Sequence, residues 1–76
     1  MREIRNSSEL GRAMRDARKT RSMTQEELAL AVGTSRYSVM SMERGGPVNA
    51  WIVLRAVAVL GGRIVLAGKN EQVQAA

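Results

Sequence analysis

Residues 24–45 read TQEELALAVGTSRYSVMSMERG, two short helix-like patterns on either side of one glycine, Gly33. The first opens at Thr24, whose hydroxyl can cover the backbone N–H three residues on while Glu27 reaches back, the capping-box spacing that starts a helix. Leu28, Ala29 and Val32 form its inward side. Gly33 closes it, because a left-handed residue is needed there and glycine adopts that conformation without steric cost. Ser35 then caps a second helix with Val39 and Met42 inward, and Gly45, Gly46 and Pro47 stop it. Two helices crossing steeply through a tight turn need a small residue where they touch (Ala29), a glycine in the turn (Gly33) and apolar residues on the inner side of the second helix (Val39, Met42). All four are present, and their spacing favours a helix-turn-helix over 25–44 rather than the hairpin of an ordinary bundle.

The outer side of the second helix carries Ser, Arg and Tyr in place of the usual Glu and Lys. Arg36 can make a bidentate contact to guanine O6 and N7, and Ser35, Ser38 and Ser41 are short enough to let the helix approach a partner closely. Tyr37 can donate to a phosphate or pack on a thymine methyl. Met40 either meets a thymine methyl or belongs to the core, and Ser38 reads better as bonding back to its own helix. Arg44, at the helix end, can reach a backbone phosphate or complement the helix dipole.

Upstream, the spacing predicts a helix starting at 6–8, where short polar side chains accept the free N–H groups of the first turn and Glu9 suits the positive end. Leu10, Ala13, Met14 and Ala17 recur at i, i+3, i+4 and i+7, one apolar stripe, while Arg12, Arg15 and Lys19 point elsewhere. Downstream, a helix capped by Asn49 is expected to run to Leu60. Val53, Leu54, Val57, Ala58 and Leu60 make it apolar nearly all round, so burial on more than one side is expected. Gly61 and Gly62 end it. RIVLAGK follows, a β-branched run of strand length that needs a partner for its backbone groups. The domain is expected to span 1–67, with a flexible tail over 68–76.

Composition bounds the rest. Seventy-six residues make one domain, and a chain so short buries only roughly 60% of its unfolded surface, so a partner chain would help it. The core materials are aliphatic, with no Phe, one Trp and one Tyr, which suits helix packing better than a sandwich. Absence of Cys and His removes thiol chemistry, disulfides, Cys/His zinc sites and imidazole catalysis. Glu26 and Glu27 sit on adjacent outward positions, and no nucleophile–base pair, metal cluster or phosphate loop is present, so the reading is of a non-enzyme with no cofactor and no small-molecule substrate. AWIVLRAVAVL is too short to span a bilayer, and MREIRNSSEL carries charges where a signal peptide needs an apolar stretch, so a cytoplasmic protein is expected.

The net charge is +5, and its placement matters more than its size. Residues 1–21 hold seven cations (Arg2, Arg5, Arg12, Arg15, Arg18, Lys19, Arg21) against three acids, whereas 22–44 hold two against three. Such a cluster is either a solvated basic face or an electrostatic footprint for phosphates.

The segment LGRAMRDARKTRSMTQEELALAVGTSRYSVMSMERG, about half the protein, resembles the Cro/cI-type (XRE) helix-turn-helix family in its T-Q-E-E-L-A, V-G-T-S and M-E-R-G elements. With the ending LGGRIVLAG, the whole chain further resembles the HipB-like antitoxins. The resemblance implies a mostly α, lambda-repressor-like bundle of four to five helices with a short C-terminal dimerisation strand formed by Arg63, Ile64, Val65, Leu66 and Ala67. It implies that the third helix enters the DNA major groove, with Ser35, Arg36, Tyr37, Met40 and Ser41 at the contacting positions. Gln25 falls where the family's glutamine meets a phosphate, and Arg18 with Glu43 matches a structural ion pair between the first and third helices. The expected function is a homodimeric, sequence-specific repressor of a palindromic double-stranded DNA operator. The HipB-like resemblance adds an antitoxin that represses its own operon and holds a HipA-like kinase toxin. A stand-alone phage, plasmid or chromosomal repressor, and a protein-interaction module that has lost DNA binding, remain as alternatives.

Overall fold

Four helices follow one another in the computed structural model, which describes residues 2–68: α1 (Ser7–Thr20), α2 (Gln25–Val32), α3 (Arg36–Glu43) and α4 (Ala50–Val59). Each start has a local cause. The Asn6 side chain accepts the Glu9 N–H at 2.9 Å and begins α1. Thr24 and Glu27 form both halves of the capping box, at 3.0 and 2.8 Å. Ser35 accepts the Ser38 N–H at 3.2 Å to start α3. Asn49 precedes α4 without a side-chain cap bond.

The α2–α3 turn is made by Gly33 at φ 87°, ψ 37°, and both Gly33 and Thr34 donate their N–H groups to the Ala29 carbonyl at 2.9 Å. The left-handed residue lets both N–H groups meet one terminal carbonyl of α2 while reversing the chain toward α3. Around this turn α3 packs on both α1 and α2, and α4 packs on α2. The core between them contains Met14, Leu28, Ala29, Val32, Val39, Met42, Ile52, Ala56 and Leu60, with Leu10 and Ala17 packed at its edge.

One unforeseen contact sets the α1–α3 approach. A Cβ at Gly11 would stand 2.5 Å from the Glu43 carbonyl oxygen and 2.6 Å from that of Met42. Only a residue without a side chain lets the C-terminal turn of α3 lie directly on the α1 backbone.

Two expectations change. Burial of α4 is one-sided: Ile52 and Ala56 are buried, but Leu54 is 56% and Trp51 47% exposed, and Ala58 is exposed too. Packing against α2 covers only one stripe of the helix, and the rest of its apolar surface faces outward. The architecture is all-helical, and no strand occurs among the described residues: 62–68 have no regular secondary structure. A strand needs a neighbour for its backbone groups. Ile64, Val65 and Leu66 are instead exposed, at 58, 42 and 99%. Of the expected tail, 69–76 lie outside the described residues.

Candidate nucleic-acid interface

Helix α3 is short and tied down at both ends. Its start is held by Ser35, whose oxygen takes the Ser38 N–H and lies 3.2 Å from the Ser38 hydroxyl. At its end, the Ser41 hydroxyl donates to the Pro47 carbonyl at 2.6 Å, and the Gly46 N–H donates to the Ser41 carbonyl at 2.8 Å, folding the loop back under the helix. Ser41 is 6% exposed. It is therefore not an outward contact residue: its hydroxyl pins the turn that follows α3, a function that periodicity could not separate from a surface serine.

What α3 does present is a stripe. Arg36 and Arg44 are exposed, Tyr37 is 72% exposed, and Met40 is half-buried between them. Positions 36, 40 and 44 are four apart and share one face. The stripe thus offers two guanidinium donors, a phenol and a polarisable apolar side chain, with Ser35 exposed at its leading edge.

Below this stripe lies the buried anchor of α3. Arg18 Nε donates to Glu43 Oε2 at 2.7 Å and Nη2 to Oε1 at 3.0 Å, a bidentate pair, while Nη1 donates to the Met23 carbonyl at 2.7 Å. The two side chains are only 9 and 4% exposed. The hydrogen bond from Arg18 to Glu43 holds the guanidinium above its already high ordinary pKa, against the opposing effect of burial. A paired, fully hydrogen-bonded charge is how an arginine is tolerated at that depth. Gln25, at the first position of α2, donates from Nε2 to the same Glu43 Oε1 at 3.2 Å. Three helices thus meet at one carboxylate, and the amide of Gln25 is oriented by it.

The N-terminal cations separate into distinct groups. Arg2 pairs with Asp16 and Arg5 with Glu3 at the surface. Arg18 is buried, and Arg21 donates from Nε to the Leu60 carbonyl at 3.0 Å, covering the C-terminal end of α4. Arg12, Arg15 and Lys19 are exposed and make no ion pair with a described residue. Arg15 and Lys19 border an open groove of about 230 Å³ whose other walls include Gln25, Met40 and Arg44. The sequence placed both in the N-terminal cationic cluster without separating them from its other members, although their i, i+4 spacing on the non-core face of α1 was the available signal.

Among the described residues no group of His, Cys, Asp and Glu is arranged to hold a metal ion, and no helix is long and apolar enough to cross a membrane.

No protein-family model and no curated protein matches the sequence. Solved structures do match in shape. A HipB chain of the HipA-HipB-O2-O3 complex superposes with a TM-score of 0.81 at 20% identity, over 92% of this chain and 100% of that one. HipB in the HipB-O4 20mer complex gives a TM-score of 0.80 at 20% identity, again over 92 and 100%. A structure described as MDT Protein gives 0.81 at the same identity and coverage. At that identity the likeness is one of fold, and it extends to nearly the whole of both chains: the protein has a HipB-like helix-turn-helix fold.

Proposed function

We propose that the protein is a homodimeric, sequence-specific DNA-binding repressor, and that it serves as the antitoxin of a HipA-like kinase toxin, autoregulating its own operon in the cytoplasm. The observation that carries the DNA reading is the exposed Arg36–Tyr37–Met40–Arg44 stripe on a helix rigidly anchored from behind by Arg18 and Glu43. Such a stripe can be laid in a major groove with Arg36 at guanine edges, and Ser35, Gln25 and Arg44 at the phosphates flanking it. The solved relatives in fold include HipB complexed with a 20mer and with HipA, and that supports the antitoxin reading over the alternative of a stand-alone repressor.

A single short helix reads few base pairs, so specificity requires two copies on half-sites about one helical turn apart. Support for the second copy comes from the apolar surface left uncovered by one chain: Trp51 and Leu54 on α4, and Ile64, Val65 and Leu66 beyond it. In this reading 63–67 of two chains pair antiparallel about a two-fold axis, Ile64 and Leu66 falling on one face.

Titration of duplex DNA against salt tests the function. A binder making about six phosphate contacts gives a log–log affinity slope of about −5. An interaction module that has lost DNA binding gives no duplex affinity at all, and that result would overturn the proposal. Truncation after Gly61 should abolish dimerisation; a truncated chain that still dimerises and binds would refute the strand as the dimer contact. Copurification of a larger kinase-like partner from the native host separates the antitoxin from the stand-alone repressor.

A further inference from the structure

We propose that the groove between α1, α2 and α3 is a clamp for a DNA backbone phosphate, in which Arg15 and Lys19 of α1 act together with Arg44 of α3. The inference rests on the DNA-binding reading above and extends it to a helix outside the helix-turn-helix.

The groove is lined by four cationic side chains, Arg15, Arg18, Lys19 and Arg44, and by a single carboxylate, Glu43. Four positive charges less one negative leave a net +3. The carboxylate is already committed: both of its oxygens accept from Arg18, and Oε1 accepts from Gln25 as well. Arg18 is spent on the same pair. Arg15, Lys19 and Arg44 remain exposed, converging from two helices, with no ion pair to any described residue. Like charges four apart on a helix repel each other by a few tenths of a kcal/mol, so the cluster is a small liability to the free protein that a bound anion would relieve. The helix dipole accounts for Lys19 in the last turn of α1, but its influence fades within one turn and does not reach Arg15.

The shape fits a phosphodiester. The groove is open to solvent and about 230 Å³ in volume, more than about ten times the space one water needs. It is continuous with the proposed reading surface, because Met40 and Arg44 belong to both. With α3 in a major groove, the strand bordering it passes the exposed end of α1, where the remaining Gln25 amide hydrogen and the three cations can take one or two adjacent phosphates. Contacts of this kind fix register and supply affinity without reading sequence.

The test uses the full-length protein and three variants, Arg15→Gln/Lys19→Gln, Arg44→Gln and, as a control for charge alone, Arg12→Gln. Arg12 is exposed on α1 but does not line the groove. Affinity for a selected duplex and for an unrelated duplex is measured by fluorescence anisotropy over a salt series. The double variant is expected to lower the magnitude of the log–log slope by about 2 and Arg44→Gln by about 1, since each lost phosphate contact removes about 0.9. Both duplexes should weaken by the same factor, melting temperatures should stay at the wild-type value, and Arg12→Gln should leave the slope unchanged. A wild-type slope retained by the double variant, or an equal reduction in Arg12→Gln, would overturn the clamp while the DNA-binding reading stands. Competition by inorganic phosphate beyond its ionic-strength effect would also overturn it, by making the groove a free-anion site. Failure of the wild type to bind any duplex would instead remove the functional reading itself.

Discussion

Replacing Arg18 with Met removes three hydrogen bonds and one charge while keeping most of the side-chain bulk. The bonds lost are those to Glu43 at 2.7 and 3.0 Å and to the Met23 carbonyl at 2.7 Å. Glu43 is then left with its side chain 4% exposed and only Gln25 as a donor. Breaking one half of a buried pair costs about 3–5 kcal/mol, because the remaining charge is uncompensated. A domain of this size has a total stability of roughly 4–11 kcal/mol, so the loss is a large share of it. In a domain of 60–100 residues each kcal/mol moves the Tm by about 4–8 °C, and even the lower figure gives a drop of more than about 10 °C.

The double variant Arg18→Met/Glu43→Leu separates the cause. With both charges gone the site is apolar on all sides, and such replacements are often neutral or stabilising. The double variant should therefore melt well above Arg18→Met, and the thermal-denaturation cycle should show a coupling of about 2–3 kcal/mol. DNA affinity of Arg18→Met should fall together with stability, since α3 loses its anchor to α1. An Arg18→Met protein within about 1 kcal/mol of wild type would refute the argument. So would a loss of affinity with the melting temperature unchanged, which would make Arg18 a DNA contact rather than the support of one.

The two informative glycines should respond in opposite order to helix propensity. Gly11→Ala gains about 1 kcal/mol of propensity but drives a methyl into the Met42 and Glu43 carbonyls, so circular-dichroism melts should show a net loss. Gly33→Ala meets nothing within 4 Å and should lose only the left-handed penalty, about 1–2 kcal/mol; a harmless Gly11→Ala would disprove the close α1–α3 approach. Arg36→Ala should leave the Tm unchanged and reduce discrimination between operator variants by about 1–3 kcal/mol at one base pair, and an unaltered base preference in a selection experiment would remove Arg36 from the reading set. Ile64→Asp/Leu66→Asp should sediment as a monomer; a dimer would relocate the two-fold contact. The Glu27 carboxyl is held below the usual glutamate range mainly by the Thr24 N–H, with the Thr24 hydroxyl adding to it. A depressed pKa stabilises above the unfolded value of about 4.3 and is lost as pH falls through the folded one. The stability gap between wild type and Glu27→Gln should accordingly narrow as pH drops below about 4; a constant gap would contradict the assignment.

What was legible in the sequence is what local stereochemistry determines. Asn6, Thr24 and Ser35 cap the helices that their residue types announce, and Gly33 adopts the left-handed turn that a helix break requires. Positions that depend on a third body were not legible. Ser41 resembles Ser35 and Ser38 in sequence, and only the return of the loop to Pro47 buries it. Gly11 looks like an ordinary weak point in a helix until α3 is laid across it. The apolar run of α4 led to an expectation of burial on more than one side, but the chain covers one side only, and Trp51 and Leu54 stay exposed on the other.

The cations carry the same lesson into function. Seven in the first 21 residues are indistinguishable by composition, yet the fold gives them different partners. Two are paired at the surface, one anchors α3, and one covers the end of α4. Three of those four face a carboxylate that offsets their charge, and Arg21 is tied to a backbone carbonyl. Arg12, Arg15 and Lys19 keep their charge exposed, and two of them stand beside the Arg44 end of the α3 stripe. Attraction to a polyanion decays over about a Debye length of 8–10 Å at physiological salt, so only charges close to the docking face strengthen binding. Arg15 and Lys19 stand where the proposed duplex would pass, and the buried Arg18–Glu43 pair holds together the two helices that put them beside Arg44.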